Sequence, residues 1–197
     1  MLFRSALEKE ASIQAPLDGK VSSLLKSMDN AGINISVLAS IATKPSQFAS
    51  ILEWSKKIAS DRLIPFPSIH PDDNGAVEQI KIIRDNGFPG IKLHPYYQNF
   101  AVDDKKMYPI YEIVQKTGLI LLCHTGFDIA FERKRIADPE KIMKVVHDFP
   151  ALKFVTSHLG AWEDWDMVEK YIIGKPVYMD ISFATDWLGK QRTKEFI

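Results

Sequence analysis

The chain has 197 residues, 46% of them hydrophobic and 25% charged, a profile that suits a globular domain with one sizeable core. Basic and acidic residues balance at 25 each, so no charge excess marks a nucleic-acid binder or a membrane-surface binder. One cysteine excludes an internal disulfide framework, no apolar run nears the ~20 residues of a transmembrane helix, and no signal peptide is visible, so a reducing, cytoplasmic setting is expected.

Residues 1–16 read as a poorly defined leader, with Leu2, Phe3, Leu7 and Ile13 only loosely on one helical face. From Asp18 the pattern sharpens. Val21, Leu24, Leu25 and Met28 fall at helical spacing, and Gly32 follows as a stop. Ile33 to Ser40 predicts a strand. Phe48, Ile51, Leu52 and Ile58 make the next helical stripe, opened by Pro45. Leu63 to Ile69 predicts a second strand, although Pro65 and Pro67 argue against a regular one.

Val77, Ile80 and Ile83 mark a helix that ends at Gly87. Gly90 to His94 predicts a strand, and residues 96–104 a long polar and aromatic loop. Ile110, Ile113 and Val114 lead a helix to Gly118. Ile120 to Cys123 is a short, wholly apolar run between glycines, as in a strand buried on both faces. Asp138-Pro139 is a helix cap followed by proline at the first helical position, with Ile142, Val145, Val146 and Phe149 on one face. Lys153 to Ser157 predicts a strand, Trp165, Val168 and Ile172 a helix, Val177 to Ser182 a strand, and Trp187 to Ile197 a final helix.

This alternation implies a parallel α/β sheet. No Gly-x-Gly-x-x-Gly follows a strand and no phosphate-binding lysine loop is present, which favours a barrel over a nucleotide-binding fold. The expected fold is a (β/α)8 TIM barrel in a single domain spanning residues 1–197. Such barrels run to ~250 residues. Six strands and a leading helix therefore predict an incomplete barrel, with strands two to seven present and strands one and eight missing.

Four of the five histidines, His70, His94, His124 and His158, stand at ends of predicted strands, each about one βα unit apart. Parallel strands would gather them at one rim, where such barrels carry their chemistry. Alternation points Lys92 and His94 into the barrel and Ile91 and Leu93 at the helices. It likewise turns Tyr178, Asp180 and Ser182 inward. Cys123 points away from His124 and reads as a small apolar residue rather than a nucleophile. His147 reads as a surface residue. Trp162, Trp165 and Trp187 flank the rim. Neutral imidazoles gathered in this way suit Zn²⁺ or a similar divalent ion. A further histidine could then move protons at neutral pH.

Gly90-Ile-Lys-Leu-His-Pro95, Cys123-His-Thr-Gly126, Ser157-His-Leu-Gly160 and Tyr178-Met-Asp-Ile-Ser182 resemble the amidohydrolase-related TIM-barrel metal-dependent hydrolases. That branch also holds aminocarboxymuconate-semialdehyde decarboxylase-like enzymes. Met28 to Ile33 and Ser68 to Asp72 resemble it too. The resemblance implies that His124 is a metal ligand and that His158 is an acid/base residue or a ligand. It places Lys92 and His94 by the substrate. Asp180, turned inward by alternation and distinct from the family's strand-eight aspartate, is read as a substrate-side residue as well, with a barrel-interior hydrogen bond or a Lys92–Asp180 pair as the plainer reading. The family's strand-one His-x-His and strand-eight aspartate find no match, so the metal site is expected to be incomplete and this stretch by itself inactive.

The implied activity is hydrolysis of a small molecule by metal-activated water. Two rivals are decarboxylation on the same scaffold and a metal-free lyase that uses Lys92 as a Schiff-base nucleophile. A third is a non-catalytic fragment that associates through open strand edges, and the sequence leaves homo-oligomerisation open.

Overall fold

The structure is a computed structural model that describes residues 17–196. The leader reading for residues 1–16 lies outside them, as does Ile197. Helices and strands alternate: α1 (Val21–Ala31), β1 (Ser36–Ala39), α2 (Phe48–Ile58), β2 (Leu63–Phe66), α3 (Ala76–Asp85), β3 (Gly90–Leu93) and α4 (Pro95–Gln98). There follow α5 (Tyr108–Thr117), β4 (Ile120–Cys123), α6 (Pro139–Asp148), β5 (Lys153–Thr156), α7 (Trp165–Tyr171), β6 (Tyr178–Met179), α8 (Thr185–Leu188) and α9 (Lys190–Phe196).

Every strand pair is parallel, in two ladders, β1–β2 and β3–β4–β5–β6. The prolines explain the gap between them. Pro65 and Pro67 carry no N–H, so the strand beginning at Leu63 stops at Phe66, short of the expected Ile69. One backbone bond crosses the seam, from Lys92 N–H to the Pro67 carbonyl at 2.9 Å. The Phe66 ring lies over Gly90, where a Cβ would come 2.4 Å from it, so only glycine lets the ladders meet.

Alternation works as the sequence predicts. Ile91, Leu93, Leu121, Cys123 and Phe154 are fully buried on the outer face. They join one core with Ile80 and Ile83 of α3, Ile110 and Val114 of α5, and Ile142 and Val145 of α6. Each large apolar side chain buried there contributes roughly 1.5–3 kcal/mol. Asp138 caps α6 as predicted, its carboxylate accepting from Lys141 N–H.

Other expected elements change as well: β1 covers only Ser36–Ala39 of the expected 33–40 strand, and the expected final helix from Trp187 is divided between α8 and α9. The stretch after His94 begins with a helical turn, α4, because Pro95 fits the first helical position. The last strand shrinks to Tyr178–Met179. Asp180 Oδ1 accepts the Ser182 N–H at 2.9 Å, an Asx-type turn that bends the chain out of the ladder. Among the described residues no helix is long and apolar enough to cross a membrane.

Candidate metal and proton-transfer site

The site lies where β3, β4, β5 and β6 end. At β3, the His94 backbone N–H donates to Gln98 Oε1 at 2.8 Å. Gln98 is fully buried and its amide donates to the carbonyls of Ala42 and Ile69, tying this exit to the loops after β1 and β2. The His94 ring stacks on His124, centroids 4.1 Å apart and planes within 9°.

Two residues earlier on the same face, Lys92 is buried and its amine donates to Ser157 Oγ at 3.2 Å. Desolvation pulls its pKa down to about 8. The pairing seen is therefore with Ser157. Cys123, on the opposite face, has its thiol pushed up to about 12 by burial, so it stays protonated and inert.

His158 ends β5 in a left-handed turn. His158, Leu159 and Gly160 have φ of 61°, 53° and 97° in succession. Non-glycine residues resist this conformation, at ~1–3 kcal/mol each. Asp180 holds the turn. Its Oδ1 accepts His158 N–H at 2.8 Å and its backbone carbonyl accepts Leu159 N–H at 2.7 Å. Trp165 Nε1 donates to the His158 carbonyl at 3.0 Å.

The ring nitrogens form a directed chain. His158 Nδ1 stands 2.7 Å from the Ser182 carbonyl, which can only accept, so Nδ1 carries the proton. Burial lowers the pKa of His158, which keeps the ring neutral, so its Nε2 is an acceptor. His124 Nδ1, 3.2 Å away, must then donate. That leaves a lone pair on His124 Nε2, facing the Phe127 carbonyl at 3.1 Å and Asp128 Oδ2 at 3.6 Å. Two oxygens and a lone pair repel one another unless a cation lies among them. These residues therefore fit a metal ion at His124. Burial, first, and then the neighbouring His94 hold the His124 pKa well below 6.5, so a charged imidazolium does not supply that cation.

Asp128 is the residue that sequence reasoning missed. It lies in the loop after β4, a turn beyond His124, and no motif marks it. Gly126 places that loop. Its φ is 86°, and a Cβ there would come 2.1 Å from Trp162 N, so the backbones of the two rim loops pair directly. Tyr96, Tyr97 and Phe131 wall one side of the imidazoles, and Trp162 and Phe183 the other.

Thus Lys92, His94, His124, His158 and Asp180 come together. His70 does something else: its Nδ1 accepts Asp72 N–H at 3.2 Å and shapes the exit from β2. His147 is 87% exposed beside Asp148.

Parallel strands with polar residues gathered at their C-terminal ends define a TIM-barrel enzyme scaffold. The amidohydrolase family model matches residues 27–195, so the chain belongs to the amidohydrolase family. A dihydroorotase from Nitrosococcus oceani is 32% identical over 116 residues, 53% of this chain and 33% of that protein. An uncharacterised TIM-barrel protein from Bordetella bronchiseptica superposes with TM-score 0.62 at 24% identity, covering 82% of this chain and 59% of its own. A 5-carboxyvanillate decarboxylase from Novosphingobium aromaticivorans, with bound manganese, superposes with TM-score 0.57 at 17% identity, covering 81% and 60%. These structural likenesses show the barrel fold. The chain spans about a third of the length of the curated relative and about three fifths of the solved structures.

Proposed function

We propose that this chain carries the metal and proton-transfer part of an amidohydrolase site that hydrolyses a small molecule at a carbonyl carbon. The supporting observation is the Ser182–His158–His124 chain, which directs the His124 Nε2 lone pair toward an ion and holds neutral His158 beside it. A bound divalent ion, Zn²⁺ by its imidazole donors, supplies water of pKa ~7 and polarises a carbonyl.

His124 is the ligand. His158 Nε2 takes a proton once it releases the bond from His124 Nδ1–H, and burial keeps the ring in the base form at neutral pH. Asp180 acts through His158 by holding its turn. Lys92 and His94 face the substrate, with the Lys92 amine suited to a carboxylate or carbonyl oxygen. The aromatic walls exclude water around the reacting group.

A second reading is decarboxylation on the same scaffold. The aromatic walls suit a flat carboxylated ring, and the manganese-bound neighbour is a decarboxylase. The lowered Lys92 pKa supports the third reading, a Schiff-base lyase.

The test is an assay of the protein against a dihydropyrimidine cyclic amide and 5-carboxyvanillate, with and without a chelator. Hydrolysis that disappears on chelation, and falls ~10²–10⁴-fold in His158→Gln with KM little changed, is the expected result. Release of CO₂ from the acid moves the assignment to the decarboxylase. Turnover that survives chelation, with Lys92 labelled by borohydride and a carbonyl substrate, replaces both.

A further inference from the structure

We infer that His94, His124 and Asp128 form a divalent-cation site complete enough to hold an ion within this chain, without the strand-one and strand-eight ligands of the family pattern. The inference rests on the reading above only for His124; His94 and Asp128 are new to the role.

The three ligand atoms lie within 4.8 Å of one another. His94 Nε2 stands 3.4 Å from Asp128 Oδ2, and His124 Nε2 3.6 Å from the same oxygen. Ligands around a four-coordinate ion with bonds of ~2.0–2.1 Å stand about 3.3 Å apart, so both pairs are close to ligand spacing.

The aim of each group is fixed by contacts outside the cluster. Asp128 Oδ1 accepts the Ala130 N–H at 2.8 Å, which leaves Oδ2 toward the imidazoles. Its side chain is only 10% exposed. A carboxylate buried to that degree calls for a positive partner. His94 is further held by Tyr97, edge-on with centroids 4.7 Å apart, and by the Gln98 anchor on its backbone. The Phe127 carbonyl adds an oxygen on the same side of His124.

Two imidazoles and a carboxylate with an open side are a donor set for a borderline divalent ion, Zn²⁺ ahead of Mn²⁺ in affinity. One carboxylate leaves a net positive charge there, which suits an anionic or carbonyl oxygen in the open position.

The test is equilibrium dialysis of the apo chain against Zn²⁺ alone, with metal counted by elemental analysis and Co²⁺ used as a visible-spectrum reporter. The expected result is a single ion per chain. His94→Gln and Asp128→Asn should each weaken binding at least about a hundred-fold and alter the Co²⁺ bands, a loss at the top of or above the ~10–100-fold range of an outer partner. Asp128→Asn keeps the acceptor for Ala130, so far-UV circular dichroism should match the parent. His147→Gln should bind as the parent does.

A parent chain that takes up no ion overturns the site, because a hydrogen bond from His94 to Asp128 then explains the geometry. So does loss of the ion in His124→Ala with full retention in both His94→Gln and Asp128→Asn. An ion bound through all three residues in a protein that turns over nothing supports this site while sinking the hydrolase reading. Chelator-sensitive turnover that is indifferent to Asp128→Asn and His94→Gln overturns this site and leaves the hydrolase reading standing.

Discussion

The β1–β2 pair and the β3–β6 ladder are built from the same βα repeat, yet they differ in burial. On β3 to β5 the outer face is sealed under α3, α5 and α6, and the inner face carries the polar cluster. Around β1, Ile33, Ile35 and Val37 are 46%, 59% and 50% exposed. What differs is the number of covered faces and paired edges, and β1 pairs only with β2. A strand gains stability from what lies on it, so the repeat alone does not make the regions equal.

The largest expected effect is in the sealed ladder. Phe154→Ala should lose ~3–5 kcal/mol in denaturant unfolding, whereas Val37→Ala should stay within ~0.5 kcal/mol. Equal losses would break the contrast. Next comes the seam. Gly90→Ala drives a methyl into Phe66 and the Ile120 carbonyl, and should cost ~1–3 kcal/mol by thermal melt.

Acid should act on the ladder through its histidines. Burial depresses the pKa values of His94, His124 and His158 from the ordinary 6.5. The unfolded chain therefore binds protons below pH ~6.5 that the fold refuses. Stability is held above that pH and falls as pH drops, by up to ~1.4 kcal/mol per unit for each histidine. Unfolding midpoints in chelator between pH 7 and 5 check this, and bound Zn²⁺ should steepen the fall because protons compete for the ligands. The smallest effect is at the cap: Asp138→Ala should cost ~1 kcal/mol by melt, and hydrogen exchange should loosen α6 while leaving the β1–β2 amides unchanged.

Most of the site was legible. His94, His124 and His158 sit where the strand pattern ends, and Lys92 and His94 follow from alternation. Asp128 was not, since a lone acidic residue in a loop carries no periodicity. The left-handed turn at His158 was hidden too, because it is imposed by Asp180 and Trp165 from other parts of the chain.

By itself the sequence determined the order of strands and helices, which face of each strand is apolar, and which residues reach the rim. These are local consequences of period, caps and prolines. Tertiary structure alone decided which nitrogens of His124 and His158 carry the proton, that Asp128 faces the imidazoles, and that the Lys92 amine lies against Ser157. Those outcomes depend on partners distant in the chain, and on burial, which exists only once the layers have packed.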